Sequence, residues 1–266
     1  MALLGYHART SNMIHLKTEL EIAKMREAGR IVHAVLDAVE AACQPGVSTW
    51  ELDRIADREL SRAKARSAFR GYRPQGMTPY PAVLCASVNE VVVHGVPSKS
   101  VVLRDGDVIG LDFACFKNDY CADAARTVAV GNASEATRAL LAATQSCLSL
   151  AIEAAQPNAR LGDVGWAIER CARSHGYSIV RQFVGHGIGR AMHEEPSVPN
   201  HGPAGRGVRL SPGMCIAIEP MVNEGAGSVR TSEDGWTVVT KDGKRSAHFE
   251  HTVAVTQKGP VVLTLP

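Results

Sequence analysis

The stretch from Asp107 to Val130 constrains this chain most: two apolar runs flank the polar turn Lys117-Asn118-Asp119, and each run carries one aspartate in its interior. That is the pattern of a β-hairpin. Asp112 and Asp123 are symmetric about the Lys117-Asn118 bond. A turn centred there sets them directly across from each other on one face, with Cβ atoms roughly 4.5–5.5 Å apart, where like charges repel. A shared proton, or a hard cation taking oxygens from both, would offset the repulsion. A turn centred elsewhere would leave both on a solvated edge, and the hairpin alone does not decide between the two.

At 266 residues and 45% hydrophobic content the chain can supply the core of one large domain. A tail over residues 1–17 and a single domain over 18–266 are expected, because the first seventeen residues show no periodicity. The net charge of +2, from 29 basic and 27 acidic residues, gives no drive toward nucleic acid or a membrane surface. The seven cysteines are odd in number and form no C-x-x-C pair, so they read as reduced thiols. No signal peptide and no run of about 18 apolar residues is present. A soluble, cytoplasmic protein is expected.

Capping boxes at Thr18/Glu21 and Ser48/Glu51 open two helices. The first carries Leu20, Ile31, Val32, Val35, Leu36 and Val39 as its apolar stripe and stops before Pro45-Gly46; the second runs to about Lys64. A Gly/Pro-rich loop over 67–81 and a strand from Val83 to Val93 precede the hairpin. The plan then repeats. Ser134 caps a helix to about Ala155, Gln156-Pro157 breaks it, and Asp163 begins another that ends near Gly176. The Gln-Pro breaks at 44-45 and 156-157 lie 112 residues apart, which hints at an internal duplication of helix, helix, then strands.

Short strands follow at Ser178–Val184, Met214–Glu219, Trp236–Thr240 and Phe249–Val255. Three of them meet a metal-type ligand: His186 in Gly185-His186-Gly187-Ile188-Gly189, Glu219 before Pro220, and Glu250 in Ala247-His248-Phe249-Glu250-His251. With the Asp pair these make four carboxylates and one imidazole that can converge on one sheet face. Such a set suits two divalent ions.

The ordered set Asp112, Asp123, His186, Glu219 and Glu250, with a spacing of 11 between the aspartates, resembles the metal site of the methionine aminopeptidase and prolidase superfamily, the pita-bread fold. The segments Asn89–Pro97, Gly185–Gly189, His193-Glu194-Glu195-Pro196, Ile218-Glu219-Pro220-Met221 and Glu250-His251-Thr252 resemble type I methionine aminopeptidases. The likeness runs from about Ile22 to the C-terminus. It implies an α+β fold: an antiparallel sheet with two helix pairs related by a pseudo-two-fold duplication.

For function, the resemblance implies a dinuclear-metal exopeptidase that removes N-terminal methionine from nascent polypeptides with a small second residue. Asp123 and Glu250 would bridge the ions, Asp112 would chelate one, and His186 with Glu219 would complete the other. Glu219 would also shuttle a proton, while His94 and His193 would bind the scissile amide and stabilise the tetrahedral intermediate. Tyr80, Cys85, Met192 and Trp236 would line the pocket for the first side chain. Met192, where many relatives carry Phe, and the loop Arg73–Thr78 depart from the common pattern and bear on the pocket's shape. Co, Mn, Fe and Zn suit the ligand set about equally. A monomer is expected, and transient ribosome contact fits nascent substrates.

A proline-specific aminopeptidase or prolidase would use the same five ligands, but those relatives carry a large N-terminal domain for which the stretch before Ile22 has no room. The 26 positions from His193 to Glu219 leave no space for the helical insertion of type II enzymes. A non-catalytic pita-bread binding protein is the remaining alternative, and retention of all five ligand types argues against it.

Overall fold

Each half of the chain begins with a pair of capped helices and ends in strands. The structure, a computed structural model, describes residues 13–266. The first half contains α1 (Glu19–Ala41), α2 (Thr49–Arg62), β1 (Arg66–Ser67), β2 (Cys85–Val88), β3 (Val91–Val93), β4 (Val108–Lys117) and β5 (Tyr120–Ala129). The second contains α3 (Glu135–Ala154), α4 (Leu161–Ser174), β6 (Ser178–Ile179), β7 (Gly185–Gly187), β8 (Glu194–Val198), β9 (Cys215–Ile218) and β10 (Met221–Asn223). It continues with β11 (Val229–Thr231), β12 (Val238–Thr240), β13 (Ser246–His248), β14 (Glu250–Thr256) and β15 (Gly259–Val262).

Both predicted capping boxes form, at Thr18/Glu21 and Ser48/Glu51. Ser134 caps α3, and Asp163 lies two residues inside α4, where its carboxylate accepts the Arg160 N–H rather than starting the helix. The expected stripe of α1 needs one correction. Leu20 is exposed, because it lies five residues before buried Met25 and so about 140° round the helix from the core face. The expected strand Val83–Val93 is broken at Asn89, whose φ is +53°. Of Ser178–Val184 only the first two residues are strand; the chain resumes as strand at Gly185. Residues 1–12 of the expected tail lie outside the described residues. At its end Lys17 is anchored rather than loose: its N–H donates to the Gly213 carbonyl and its Nζ meets Glu194 Oε2 at 2.6 Å.

The main sheet runs β1-β4-β5-β14-β9-β7-β8, with β2 also on β4 and β15 also on β14. Its pairs are antiparallel. Two small sheets, β13-β10-β6 and β11-β12-β3, complete it. One apolar core packs α1 and α2 on the β2, β4 and β5 side, and a second packs α3 and α4 on the β9 and β14 side. The two halves repeat down to single hydrogen bonds. Gly46 and Val47 exchange backbone bonds with Leu103, and Thr49 donates to Val101; 112 positions on, Asn158 and Ala159 do so with Leu210, and Leu161 donates to Val208. The duplication hinted at by the Gln-Pro breaks is therefore a structural repeat, and β5 and β14 meet at its seam.

The hairpin pairing is shifted by two residues from the expected one. Lys117 pairs with Tyr120, so the turn is the two residues Asn118 and Asp119, at φ +50° and +68°. Two successive positive φ values are what a tight type I′ hairpin demands, and Asn and Asp tolerate them. Asp112 consequently faces Ala125, and Asp123 faces Ala114. The aspartates are diagonal neighbours rather than opposed, and still share a face.

Candidate metal centre and its pocket

Sheet register alone carries the five predicted ligands to one place. Ala125 of β5 is flanked by Asp112 on β4 and by Glu250 on β14, and Asp123 lies two residues along β5, pointing the same way. On the other side of β14, His251 faces Ile218, so the next position of the ladder sets Glu219 beside Glu250. Gly187 faces Ile216, which turns His186 toward the Glu219 side of β9. Their side chains converge: His186 Nε2 is 3.7 Å from Glu219 Oε1. One donor atom each of Asp123, His186 and Glu250 lies within 4.8 Å of the others. Thr252 locks the seam, accepting the Asp123 N–H at 2.9 Å and donating to its carbonyl at 2.8 Å.

The electrostatics of this cluster are those of a cation site. Burial, and then the neighbouring carboxylates, raise the pKa of Asp112, Glu219 and Glu250, and burial pushes Asp123 up to about 7. Asp112 Oδ1, Asp123 Oδ1 and Glu250 Oε1 are buried without a hydrogen-bond partner. Buried carboxylates left unpaired are costly, and divalent ions with oxygen and imidazole ligands remove that cost, so the residues present fit such ions. His186 is preset as a ligand. Its Nδ1 lies 2.9 Å from the Gly187 carbonyl, which assigns the proton to Nδ1 and leaves the Nε2 lone pair facing the carboxylates. Burial lowers its pKa to about 4, so at neutral pH the ring is uncharged.

Gly185 and Gly187 on either side of His186 are required by close approach. A Cβ at either would lie 2.2 Å from a backbone oxygen, of Ala217 or of Glu195. These glycines thus belong to a strand squeezed between neighbours.

His193 stands beside His186, with ring centroids 4.2 Å apart. Its Nδ1 is 2.8 Å from the Tyr72 hydroxyl. With the phenol as donor to Nδ1, the imidazole proton would lie on Nε2 and make that nitrogen a donor. The loop carrying His193 is held by Glu194, which accepts from Lys17 and from the Ala191 N–H. His94, at φ +59°, packs edge-on to Phe183 and Trp236. Tyr80 holds the next residue, since its hydroxyl lies 3.0 Å from the Gly95 carbonyl and 3.1 Å from that of Leu84.

Tyr80, Cys85, Met192 and Trp236, the four predicted pocket residues, are buried in one apolar cluster together with Phe69, and Tyr72 and Met77 pack against it. Tyr80 and Trp236 meet edge-to-face at 5.1 Å, and the Trp236 Nε1–H donates to the Thr78 carbonyl. Cys85 faces Asp112 directly in the β2–β4 ladder, so this apolar cluster adjoins the carboxylates. Sequence reasoning missed Phe69, Tyr72 and His248. The first two are aromatic residues in a loop otherwise rich in Gly and Pro, which is the signal that could have found them. His248 Nε2 lies 3.9 Å from both Glu219 and Glu250.

Comparison with known proteins agrees with this geometry. The Peptidase_M24 profile, metallopeptidase family M24, matches residues 23–257. A methionine aminopeptidase of Clostridium acetobutylicum is 46% identical over 95% of this chain and 99% of its own length. Methionine aminopeptidase 1 of Bacillus subtilis is 45% identical with the same coverage. The crystal structure of a Thermotoga maritima methionine aminopeptidase superposes with a TM-score of 0.92 at 41% identity, covering 96% of this chain and all of that one. The Pyrococcus furiosus prolidase shares the fold at 22% identity and a TM-score of 0.74, and only 65% of its chain is matched. With a profile match across most of its length and relatives aligned nearly end to end, the chain belongs to metallopeptidase family M24, among its methionine aminopeptidases.

Proposed function

We propose that this protein removes the N-terminal methionine from peptides whose second residue is small, with two divalent ions held by Asp112, Asp123, His186, Glu219 and Glu250. The observation that carries the reading is the adjacency of a buried carboxylate cluster with unpartnered oxygens to an apolar pocket that ends at Cys85. When bound, divalent ions supply Lewis acidity and acidify water from its bulk pKa to about 7. The chain's own residues do the rest. Tyr80, Cys85, Met192 and Trp236 take up the unbranched, polarisable methionine side chain, to which an apolar aromatic pocket is suited. His193, with Nε2–H outward, donates to the scissile carbonyl oxygen as it becomes an oxyanion, and His94 approaches the same amide from the Trp236 side. Glu219, whose pKa burial has raised, carries the proton to the leaving amine.

The rings of His94 and His193 flank the scissile bond and restrict the second residue, so nascent polypeptides starting Met-Gly, Met-Ala or Met-Ser are the substrates, with ribosome contact and a monomeric state as corollaries. Co, Mn, Fe and Zn all fit the donor set. Cleavage of a matched peptide series tests the reading: Met-Ala peptides should be hydrolysed and Met-Leu peptides left largely intact. Comparable turnover of both, or faster cleavage of X-Pro peptides, would overturn it in favour of a prolidase-like activity.

A further inference from the structure

His248 is a buried titratable side chain at the site to which the proposed chemistry gives no part. It ends β13, paired with Met221 of β10. Thr127 brackets its backbone, accepting the His248 N–H and donating to its carbonyl, both at 2.8 Å. The ring is 4% exposed, and its Nε2 has no hydrogen-bond partner. That nitrogen is 3.9 Å from Glu219 Oε2 and 3.9 Å from Glu250 Oε2, less than about 1 Å beyond hydrogen-bond length to each.

Ionised, as a carboxylate must be to receive metal, the two side chains have only lone pairs to offer, so a ring nitrogen equidistant from both is complementary when it carries the imidazole N–H. The backbone ladder fixes Glu219 and Glu250 at their Cα atoms but leaves their side-chain torsions free, and among the described residues His248 is the side chain whose ring nitrogen lies equally close to both. We infer that His248 is a positioning residue whose Nε2–H is shared between the Glu219 and Glu250 carboxylates and holds them in place to receive metal. The inference rests on those two residues being ligands. Partners that hydrogen-bond a ligating carboxylate commonly change metal affinity by about 10–100-fold.

Calorimetric titration of Mn²⁺ into metal-free full-length protein tests it, on wild type, H248L, H248N and H248Q, with Tm of each metal-free protein measured alongside. Glutamine keeps an N–H donor at the imidazole's reach, asparagine falls short by one methylene, and leucine has none. The expected result is a Kd weakened about 10–100-fold in H248L and H248N, a Kd within about threefold of wild type in H248Q, and the visible spectrum of bound Co²⁺ altered in the first two only. If H248L does not fold, the contrast between H248N and H248Q decides. A Kd unchanged in H248N, or weakened equally in H248Q and H248N, would overturn the inference while leaving the metal site standing. A wild type that binds no Mn²⁺ would sink the metal reading itself.

Discussion

His186 and His193 meet edge to face, yet their hydrogen bonds suit them to opposite work. A carbonyl holds the Nδ1 proton of His186 and frees its Nε2 lone pair; the Tyr72 hydroxyl sits on Nδ1 of His193, and by donating there it would make Nε2 a donor. H186A should therefore lose metal, as assayed by elemental analysis of the purified protein. H193A should keep its metal while kcat for a Met-Ala peptide falls about 10²-fold or more, the range for removing one oxyanion donor. Metal lost in H193A and kept in H186A would reverse the assignment. The two histidines were legible as candidates because each stands in a short motif. Tyr72 and His248 carry no spacing signature, and their relevance depends on a loop fold and a small three-stranded sheet that no local pattern encodes.

At the level of elements, alternation and capping made most of the architecture readable, and errors arose where the chain departs from a regular period. The hairpin aspartates were placed on one face correctly because side chains alternate strictly along a strand. Their pairing is shifted by two residues because Lys117 is polar but belongs to β4, where its Nζ donates to the Ala63 carbonyl. Helix α1 shows the converse case, a residue whose role only packing reveals. Gly29 lies in its middle, and a Cβ there would fall 2.0 Å from the Leu263 carbonyl oxygen of the C-terminal segment. Helix propensity alone would favour G29A. Backbone collision should win, costing about 1–3 kcal/mol and lowering Tm by roughly 2–12 °C in a thermal scan. A more stable G29A would mean that the segment around Leu263 shifts freely.

For the whole molecule, the repeat and the site are one problem. Each half has its own helix pair and core; Asp112 and Asp123 come from the first half, and His186, Glu219 and Glu250 from the second. Cations bound across the seam therefore add a further tie to halves already joined by the β5–β14 and β3–β12 ladders and by shared apolar clusters. That coupling is pH-dependent. Carboxyls with pKa values raised by burial keep protons in the folded state that the unfolded chain releases. Their contribution is complete below the unfolded value near 4 and is lost as pH rises through the folded values, about 7 for Asp123. Buried His94 and His186, lowered to about 4, and His248, lowered to about 3, act in the opposite sense. Their effect is spent once pH exceeds the ordinary histidine value near 6.5, so above it the carboxylates decide.

The measurement that bears most directly on the site is Tm with and without divalent metal at pH 8, repeated at pH 6.5. Metal at 100 times its Kd contributes about 2.7 kcal/mol when only the folded state binds it, and each kcal/mol moves Tm by roughly 2–4 °C in a domain of this size. Chelation should lower Tm by about 5–10 °C at pH 8 and by less at pH 6.5, with recovery on adding Mn²⁺ or Co²⁺. A Tm that is unchanged or raised on metal removal at pH 8 would contradict the account, because the buried carboxylates would then have partners other than cations.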